Sequence, residues 1–323
     1  MTHPVETCYP LLTLLHDGAW HTIHTLDTRT VQQAIAQLAA YGVIIEHDMH
    51  HGYRLPGGLE WLSATQIVAA LSPTVRDAIQ IEVVSEIPST NDYVMAKRAN
   101  ATQAIACFAE YLSAARGQHG RQWATSFGRN LYCSVLSIFE QPPAALLGIS
   151  LVVAIAVVRA LTQYGITEGL QLKWPNDIYW KGRKLAGILI ESLPRTTGGC
   201  DVIIGIGING TLPPCAVMQI SQPWVDISTI THAPLQRNAL ASTVLNTLLP
   251  VLSQFSTAGL APFLPEWKQY DFLIDKTVTL HSPAGKIVRG ILQGISEQGA
   301  LLLRTEDGTI CTYLSGEVSV RFA

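Results

Sequence analysis

Residues 115–134 read Ala115-Arg-Gly-Gln-His-Gly-Arg-Gln-Trp-Ala-Thr-Ser-Phe-Gly-Arg-Asn-Leu-Tyr-Cys-Ser134. Gly117 and Gly120 can adopt backbone angles that other residues resist, so main-chain N–H groups there can approach an anion closely. Arg116 and Arg121 flank them with permanent charge and fork-shaped donors suited to carboxylate or phosphate. Trp123 adds a flat face for a ring or base. Phe127-Gly128-Arg129-Asn130 reads as a turn, and residues 130–139 alternate as a strand does. A cationic loop feeding a rigid strand predicts a lid over a small anionic ligand; a solvated basic surface loop is the competing reading.

Outward from this loop, the neighbouring segments read as strands with chemistry at their ends. Residues 81–87 and 104–111 are strand-like and residues 91–99 helical. Ser89-Thr90-Asn91 between them is an N-cap pattern, which sets hydroxyls at a positive helix end. Downstream, 170–174, 178–180, 184–191 and 201–209 predict an antiparallel meander turned at Pro175-Asn176-Asp177 and Lys181-Gly182. Lys184 and Asp177 then fall at strand ends. Gly205-Ile-Gly207-Ile-Asn-Gly210 fits G-x-G-x-x-G, but a dinucleotide site needs a helix starting at the last glycine. Thr211-Leu-Pro213-Pro214 does not begin one, and no Walker A sequence is present.

Arg116-Gly117-x-x-Gly120-Arg121-x-Trp123 resembles the biotin-loop motif of biotin protein ligases. Ser89-Thr90-Asn91, Lys173-Trp174-Pro175-Asn176-Asp177 and Arg183-Lys184-Leu185-Ala186-Gly187 resemble the same family, in order and at suitable spacing. The resemblance runs from about residue 81 to the C-terminus, and more loosely over the N-terminus to the bifunctional ligase-repressors. It implies an α+β fold: an N-terminal winged helix (1–62), a central mixed or antiparallel sheet with helices like a class II synthetase (63–272), and an SH3-like C-terminal barrel (273–323).

The activity it implies is ATP-dependent formation of biotinyl-5′-AMP, then transfer of biotin to a lysine of the biotin carboxyl carrier protein of acetyl-CoA carboxylase. Lys184 and Arg116 would be catalytic. Ser89, Thr90, Asn91, Leu112, Arg116, Gly117, Gln118, Lys184 and Gly187 would bind biotin; Arg121, Trp123, Asn176, Asn209 and Arg321 would bind the nucleotide. Asp177 would hold Mg²⁺, which favours oxygen and few protein ligands. Three positions depart from the family pattern: Leu112 for a glutamine, Ala115 for a glycine and Gln118 for an arginine. A lipoate-type ligase would share the fold and the adenylation chemistry. A biotin-responsive regulator with weak ligase activity is the other alternative, yet Lys184 and Asp177 are both present.

Composition narrows the classes further. Hydrophobic residues make up 48% of 323, ample for buried cores, and the net charge of -3 gives no overall basic footprint for nucleic acid. The six scattered cysteines, Cys8, Cys107, Cys133, Cys200, Cys215 and Cys311, form no C-x-x-C pair and read as reduced thiols. No basic-then-apolar leader opens the sequence. The uncharged run 144–158 is too short to span a bilayer and reads as a buried helix after Pro142-Pro143. These features predict a cytoplasmic chain with no membrane partner.

In residues 1–60, Val31, Ile35 and Leu38 mark a helix closed by Gly42, and 43–55 reads as a hairpin with a wing tip at Met49-His50-His51-Gly52. The resemblance implies operator DNA as a partner. Two features oppose it: the stretch from Trp20 to Thr30 is short for a helix and turn before a recognition helix, and the charge is wrong. Arg29 and Arg54 stand against Glu6, Asp17, Asp27, Glu46, Asp48 and Glu60, and 2 minus 6 is -4. Phosphate contacts supply much of DNA affinity, so operator binding stays open. His3, His16, His21, His24, His47, His50 and His51 also lie here and read as solvated, without metal-ligand spacing. Ser63-Ala-Thr-Gln66 is a capping box opening a short helix. Residues 236–249 predict an amphipathic helix stopped or kinked at Pro250, and strands fill 277–322. A homodimer pairing through a sheet edge at 201–208 or 134–140 is expected from the family.

Overall fold

The computed structural model describes every residue except 1–3, 197, 214–219, 284 and 323, and every side chain among them except those of Pro4, Val5 and His119. His3, Pro214 and Cys215 therefore lie outside the described residues. The chain divides into two compact units, residues 1–137 with 203–242, and residues 138–202 with 243–323.

The first unit opens with helices Tyr9–Leu15 and Thr28–Ala40 and a hairpin of β1 (Glu46–Asp48) and β2 (Gly52–Arg54). Asp27 starts the second helix by accepting from Thr30 N at 3.0 Å and Thr30 Oγ1 at 2.6 Å. Val31, Ala34 and Leu38 bury its inner stripe, with Ile35 only partly covered. From residue 16 to 27 the chain forms no helix, only an isolated bridge from His21 to Tyr53. The element preceding a recognition helix is thus absent, as the length of that stretch predicts. Phe127 belongs to the same apolar core as Leu11, Leu12, Leu15 and Leu38.

Ser63 caps helix Ala64–Ala69 through Gln66 N at 3.3 Å. β3 (Ile79–Ile87) then runs parallel to β4 (Ala104–Leu112), joined by helix Thr90–Lys97, and β5 (Leu131–Phe139) returns antiparallel to β4. In the second unit β6 (Leu170–Lys173), β7 (Asp177–Trp180) and β8 (Arg183–Pro194) form the expected antiparallel meander. β9 (Cys200–Ile208) contributes residues to both units. Strand order is β3-β4-β5-β9 in the first and β9-β8-β7-β6 in the second, a mixed sheet. This corrects the expected pairing edge. Residues 134–139 lie on β5, which is hydrogen-bonded to β4 on one side and β9 on the other, so that strand offers no open edge.

Two further boundaries move. The buried helix expected over 144–158 spans Ile149–Gln163, because Pro143–Leu146 forms a tight 3₁₀ turn and Gly148 takes a left-handed φ of 85°. Almost all of its first thirteen residues are buried, as suits a helix apolar on every side. The helix expected to stop or kink at Pro250 runs from Arg237 to Ala258 through that proline, so it does not stop there. An interior proline costs about 3 kcal/mol. Val251, Leu252 and Phe255 beyond it are each buried, and at about 1.5–3 kcal/mol apiece they outweigh that cost.

The C-terminal segment folds as the predicted small antiparallel barrel-type sheet. β10 (Thr277–His281), β11 (Ile287–Ile295), β12 (Leu301–Thr305), β13 (Ile310–Tyr313) and β14 (Ser319–Phe322) adopt the order β13-β12-β11-β10-β14. Val278, Leu280, Leu292, Leu301 and Leu303 fill its interior. Among the described residues, no helix is long and apolar enough to cross a membrane.

Candidate functional site

In the first unit the glycine loop is a closed arch. Trp123 N donates to Ala115 O at 3.1 Å, Arg116 bridges Gln122, and Gly117 N donates to Arg121 O at 2.7 Å. Residues Gln118–Gly120 turn the tip as one 3₁₀ turn. Gly117 has ordinary extended backbone, φ -110°, and its N–H is spent inside the arch. Of the two loop glycines only Gly120, φ 71°, needs the left-handed freedom predicted for both. Arg116, half-exposed, forms an ion pair with Asp92 at 2.5 Å on the helix that Ser89 caps.

Thr90 and Asn91 are buried and face Ser134 on β5: the Ser134 hydroxyl lies 2.7 Å from Thr90 Oγ1 and 2.5 Å from Asn91 Oδ1. Leu112 and Ala115 pack with Ala109 and Tyr132, flanked by Val84, Ile87 and Trp123. The two strand glycines beneath them have a packing reason. A Cβ at Gly205 would collide with Asn91 Oδ1, and one at Gly207 would lie 3.1 Å from the Trp123 ring. The G-x-G-x-x-G match is therefore a strand surface kept bare for two side chains. Asn209, buried at its end, donates to Val225 O at 3.1 Å.

The second unit gathers the cations of the meander. β6 and β7 pair so that Lys173 lies opposite Asp177, and β7 and β8 so that Tyr179 lies opposite Lys184 and Asp177 opposite Gly187. Lys184 Nζ meets Asp177 Oδ1 at 2.6 Å, and Lys173 Nζ lies 3.9 Å from Asp177 Oδ2. These side chains are only 12–14% exposed. Two ammonium groups on one carboxylate leave a net charge of 2 minus 1, or +1, in partly dry surroundings. Fixed cations there act strongly on charge that develops in a reaction. Asn176 locks the turn by donating to Ile188 O at 2.5 Å.

Lys173 also lies 5.6 Å from the centroid of Tyr179 and 5.5 Å from that of Phe322. Its role was missed from the sequence, although a three-residue turn between Lys173 and Asp177 forces that pairing. Asp92 and Ser134, also missed, carry no local signal, since their partners are 24 or more residues away. Arg321 is exposed and pairs in register with Thr279. Strand alternation puts it on the face opposite Phe322, so Phe322 meets Lys173 and Arg321 does not. Among the described residues no group of three or more His, Cys, Asp or Glu is arranged to hold a metal. Mg²⁺ carried on phosphates needs only one or two carboxylates, and Asp177, the carboxylate expected to supply one, is held by Lys184 and Lys173.

Comparison with known proteins identifies the family. The biotin/lipoate A/B protein ligase family model matches residues 83–209, and the biotin protein ligase C-terminal domain model matches 273–321. The chain is 37% identical to the bifunctional ligase/repressor BirA of Salmonella typhimurium, over 98% of its own length and 99% of that protein. The BirA of Escherichia coli is 36% identical, over 97% of each chain. The structure of the Aquifex aeolicus biotin protein ligase in complex with biotin and ATP superposes with a TM-score of 0.64 at 29% identity, covering 76% of this chain and 99% of that one. With near-full-length relatives of this kind and both domain models in register, the chain belongs to the biotin protein ligase family, in its bifunctional ligase/repressor branch.

Proposed function

We propose that the biotin carboxylate attacks the α-phosphorus of ATP, releasing pyrophosphate, and that a lysine of the biotin carboxyl carrier protein of acetyl-CoA carboxylase then attacks the resulting anhydride. The observation that carries this reading is the Lys173–Asp177–Lys184 cluster, whose net positive charge suits the joining of two anions. The relative from Mycobacterium tuberculosis named biotin–[acetyl-CoA-carboxylase] ligase supports the carrier assignment.

Lys184 and Arg116 would neutralise carboxylate and α-phosphate, the latter after leaving Asp92, and Arg121 would meet the outer phosphates. Ser89, Thr90, Asn91, Leu112, Gly117, Gln118 and Gly187 would line biotin. Trp123, Asn176, Asn209 and Arg321 would serve the nucleotide. Trp123 would also exclude the water that hydrolyses the anhydride. Mg²⁺ arriving on the phosphates would take Asp177 as one ligand and supply charge neutralisation when bound.

The same reading divides the chain at 1–62, 63–272 and 273–323, places it in the cytoplasm, and makes it a homodimer favoured by the adenylate. The match of the C-terminal domain model from residue 273 supports the second boundary. Operator binding through helix Thr28–Ala40 would be weak. The testing experiment is transfer of labelled biotin from ATP and biotin to the purified carrier domain. Labelling of its one specific lysine is expected; no labelling, with lipoate transferred instead, contradicts the assignment.

A further inference from the structure

The first unit holds a cavity of about 270 Å³ that none of these assignments uses. Gly57, Gly58, Leu59 and Glu60 form one wall, Gly128 and Arg129 another, and Thr211, Ser228, residues 232–235 and Arg237 complete it. The volume is near the lower end for small-molecule sites.

Its polar groups are not balanced among themselves. Arg237 is 1% exposed; its Nε donates to Asn130 O and its Nη1 to Glu60 O and to Glu110 Oε2. Its Nη2 is buried and has no hydrogen-bond partner among the described residues. That nitrogen is closed off from solvent, so Arg237 adds charge behind the cavity wall and not an open donor.

Arg129 donates only to carbonyls, Gly58 O at 2.7 Å and Pro56 O at 3.0 Å, and among the described residues no carboxylate pairs with it. Burial first, and the charge of Arg237 second, push its pKa down to about 10. Glu60, the one carboxylate in the lining, is already committed. Its Oε2 accepts from the Arg237 and Asn238 backbone N–H groups and its Oε1 from Asn238 Nδ2. It still adds one negative charge, which disfavours a dianion. Thr211 and Ser228 share a 2.6 Å hydroxyl hydrogen bond on the wall, and Leu59, Ala233, Pro234 and Leu235 supply apolar surface.

We propose that this cavity is a second ligand site, which takes a small monocarboxylate with a short aliphatic body: the carboxylate meets Arg129, with Arg237 behind it, and the body lies against Leu59, Pro234 and Leu235. Arg129 and Arg237 grip the segment 56–60 by its carbonyls. Ligand binding would therefore tighten the connection that leads out of the winged helix.

The test is calorimetric titration of the full chain, saturated beforehand with biotin, using butyrate, butyramide and inorganic phosphate as probes. Butyrate is expected to bind, with butyramide and phosphate at least about tenfold weaker, since the contact is charge-assisted and the body apolar. Arg129→Gln should weaken butyrate by a similar factor. Because Arg129 also holds segment 56–60, Ala233→Trp is the second variant. Residue 233 is exposed at the cavity wall and enters no hydrogen bond of the arginine pair, so the substitution should block butyrate while leaving biotin transfer unchanged. Binding of butyramide or phosphate equal to butyrate would overturn the proposal. So would undiminished binding in Ala233→Trp or no binding at millimolar butyrate. None of these outcomes bears on the transfer of biotin to the carrier, which is scored separately.

Discussion

Lys184 and Asp177 form a pair whose geometry makes a quantitative demand. An ammonium 2.6 Å from a nearly buried carboxylate is fixed before substrate arrives, so it needs no reorganisation when charge develops. Lys184→Ala should therefore lose about 2–4 kcal/mol of transition-state stabilisation. Single-turnover formation of biotinyl-5′-AMP measures this, and an unchanged rate would remove Lys184 from the reaction. Gln118, at the tip of the arch, bears on retention instead. Replacing a charge-assisted contact by a neutral amide forfeits about 1.5 kcal/mol, so Gln118→Arg should release the adenylate on the order of tenfold more slowly. Chase of labelled adenylate with unlabelled biotin decides it; equal dissociation rates contradict the role. Arg237 belongs to stability. Removing it strands Glu110, 3% exposed, in the interior, and the expected loss is about 3–5 kcal/mol. Urea denaturation of Arg237→Ala showing under about 1 kcal/mol of loss would contradict that. At this scale the short motifs were legible because each reads locally: Ser89 as a cap, Lys184 beside its strand start. Glu110–Arg237 was not, since 127 residues separate the partners and neither sits in a recognisable pattern.

Among the elements, helix Thr28–Ala40 and the wing hairpin depend on two aspartates with depressed pKa values. Asp27 is lowered by the Thr30 hydroxyl and then the Thr30 backbone N–H; Asp48 is lowered by the backbone N–H groups of His50 and His51 and then the His51 ring. A carboxylate with a depressed folded pKa contributes stability above its unfolded value, and that contribution disappears as pH falls through the folded one. The ordinary aspartate value is 3.8, so protection of the helix amides against hydrogen exchange should decline as pH drops below about 4. Constant protection down to pH 2.5, about one unit below that value, would contradict the role of these caps. The elements themselves were readable from period and caps, and the Ser63 box and the Lys181-Gly182 turn appear where the spacing puts them. Of the two readings at Pro250 the stop fails, because the burial of Val251, Leu252 and Phe255, which depends on tertiary packing, outweighs the local backbone cost. The edge expected at β5 failed for a related reason: strand order is a property of the whole sheet and is invisible in any one strand.

At the scale of the whole molecule, a ligase of the repressor branch carries an N-terminal module poorly equipped for DNA. Its acidic balance of -4 counts Arg54 as a free cation, yet Arg54 is held by Glu46 at 2.6 Å and stacked over Trp20 at 4.6 Å. With so few cations left for phosphate contacts, nanomolar binding to its own biotin-gene promoter is not expected at physiological salt, even with biotin and ATP present. A band shift at nanomolar protein would overturn this. The central claim is that the chain activates biotin, and the measurement that tests it most directly is ATP–pyrophosphate exchange run side by side with biotin and with lipoate. Exchange should be driven by biotin and stay near background with lipoate. Exchange driven by lipoate with biotin silent, or by neither acid, would contradict it.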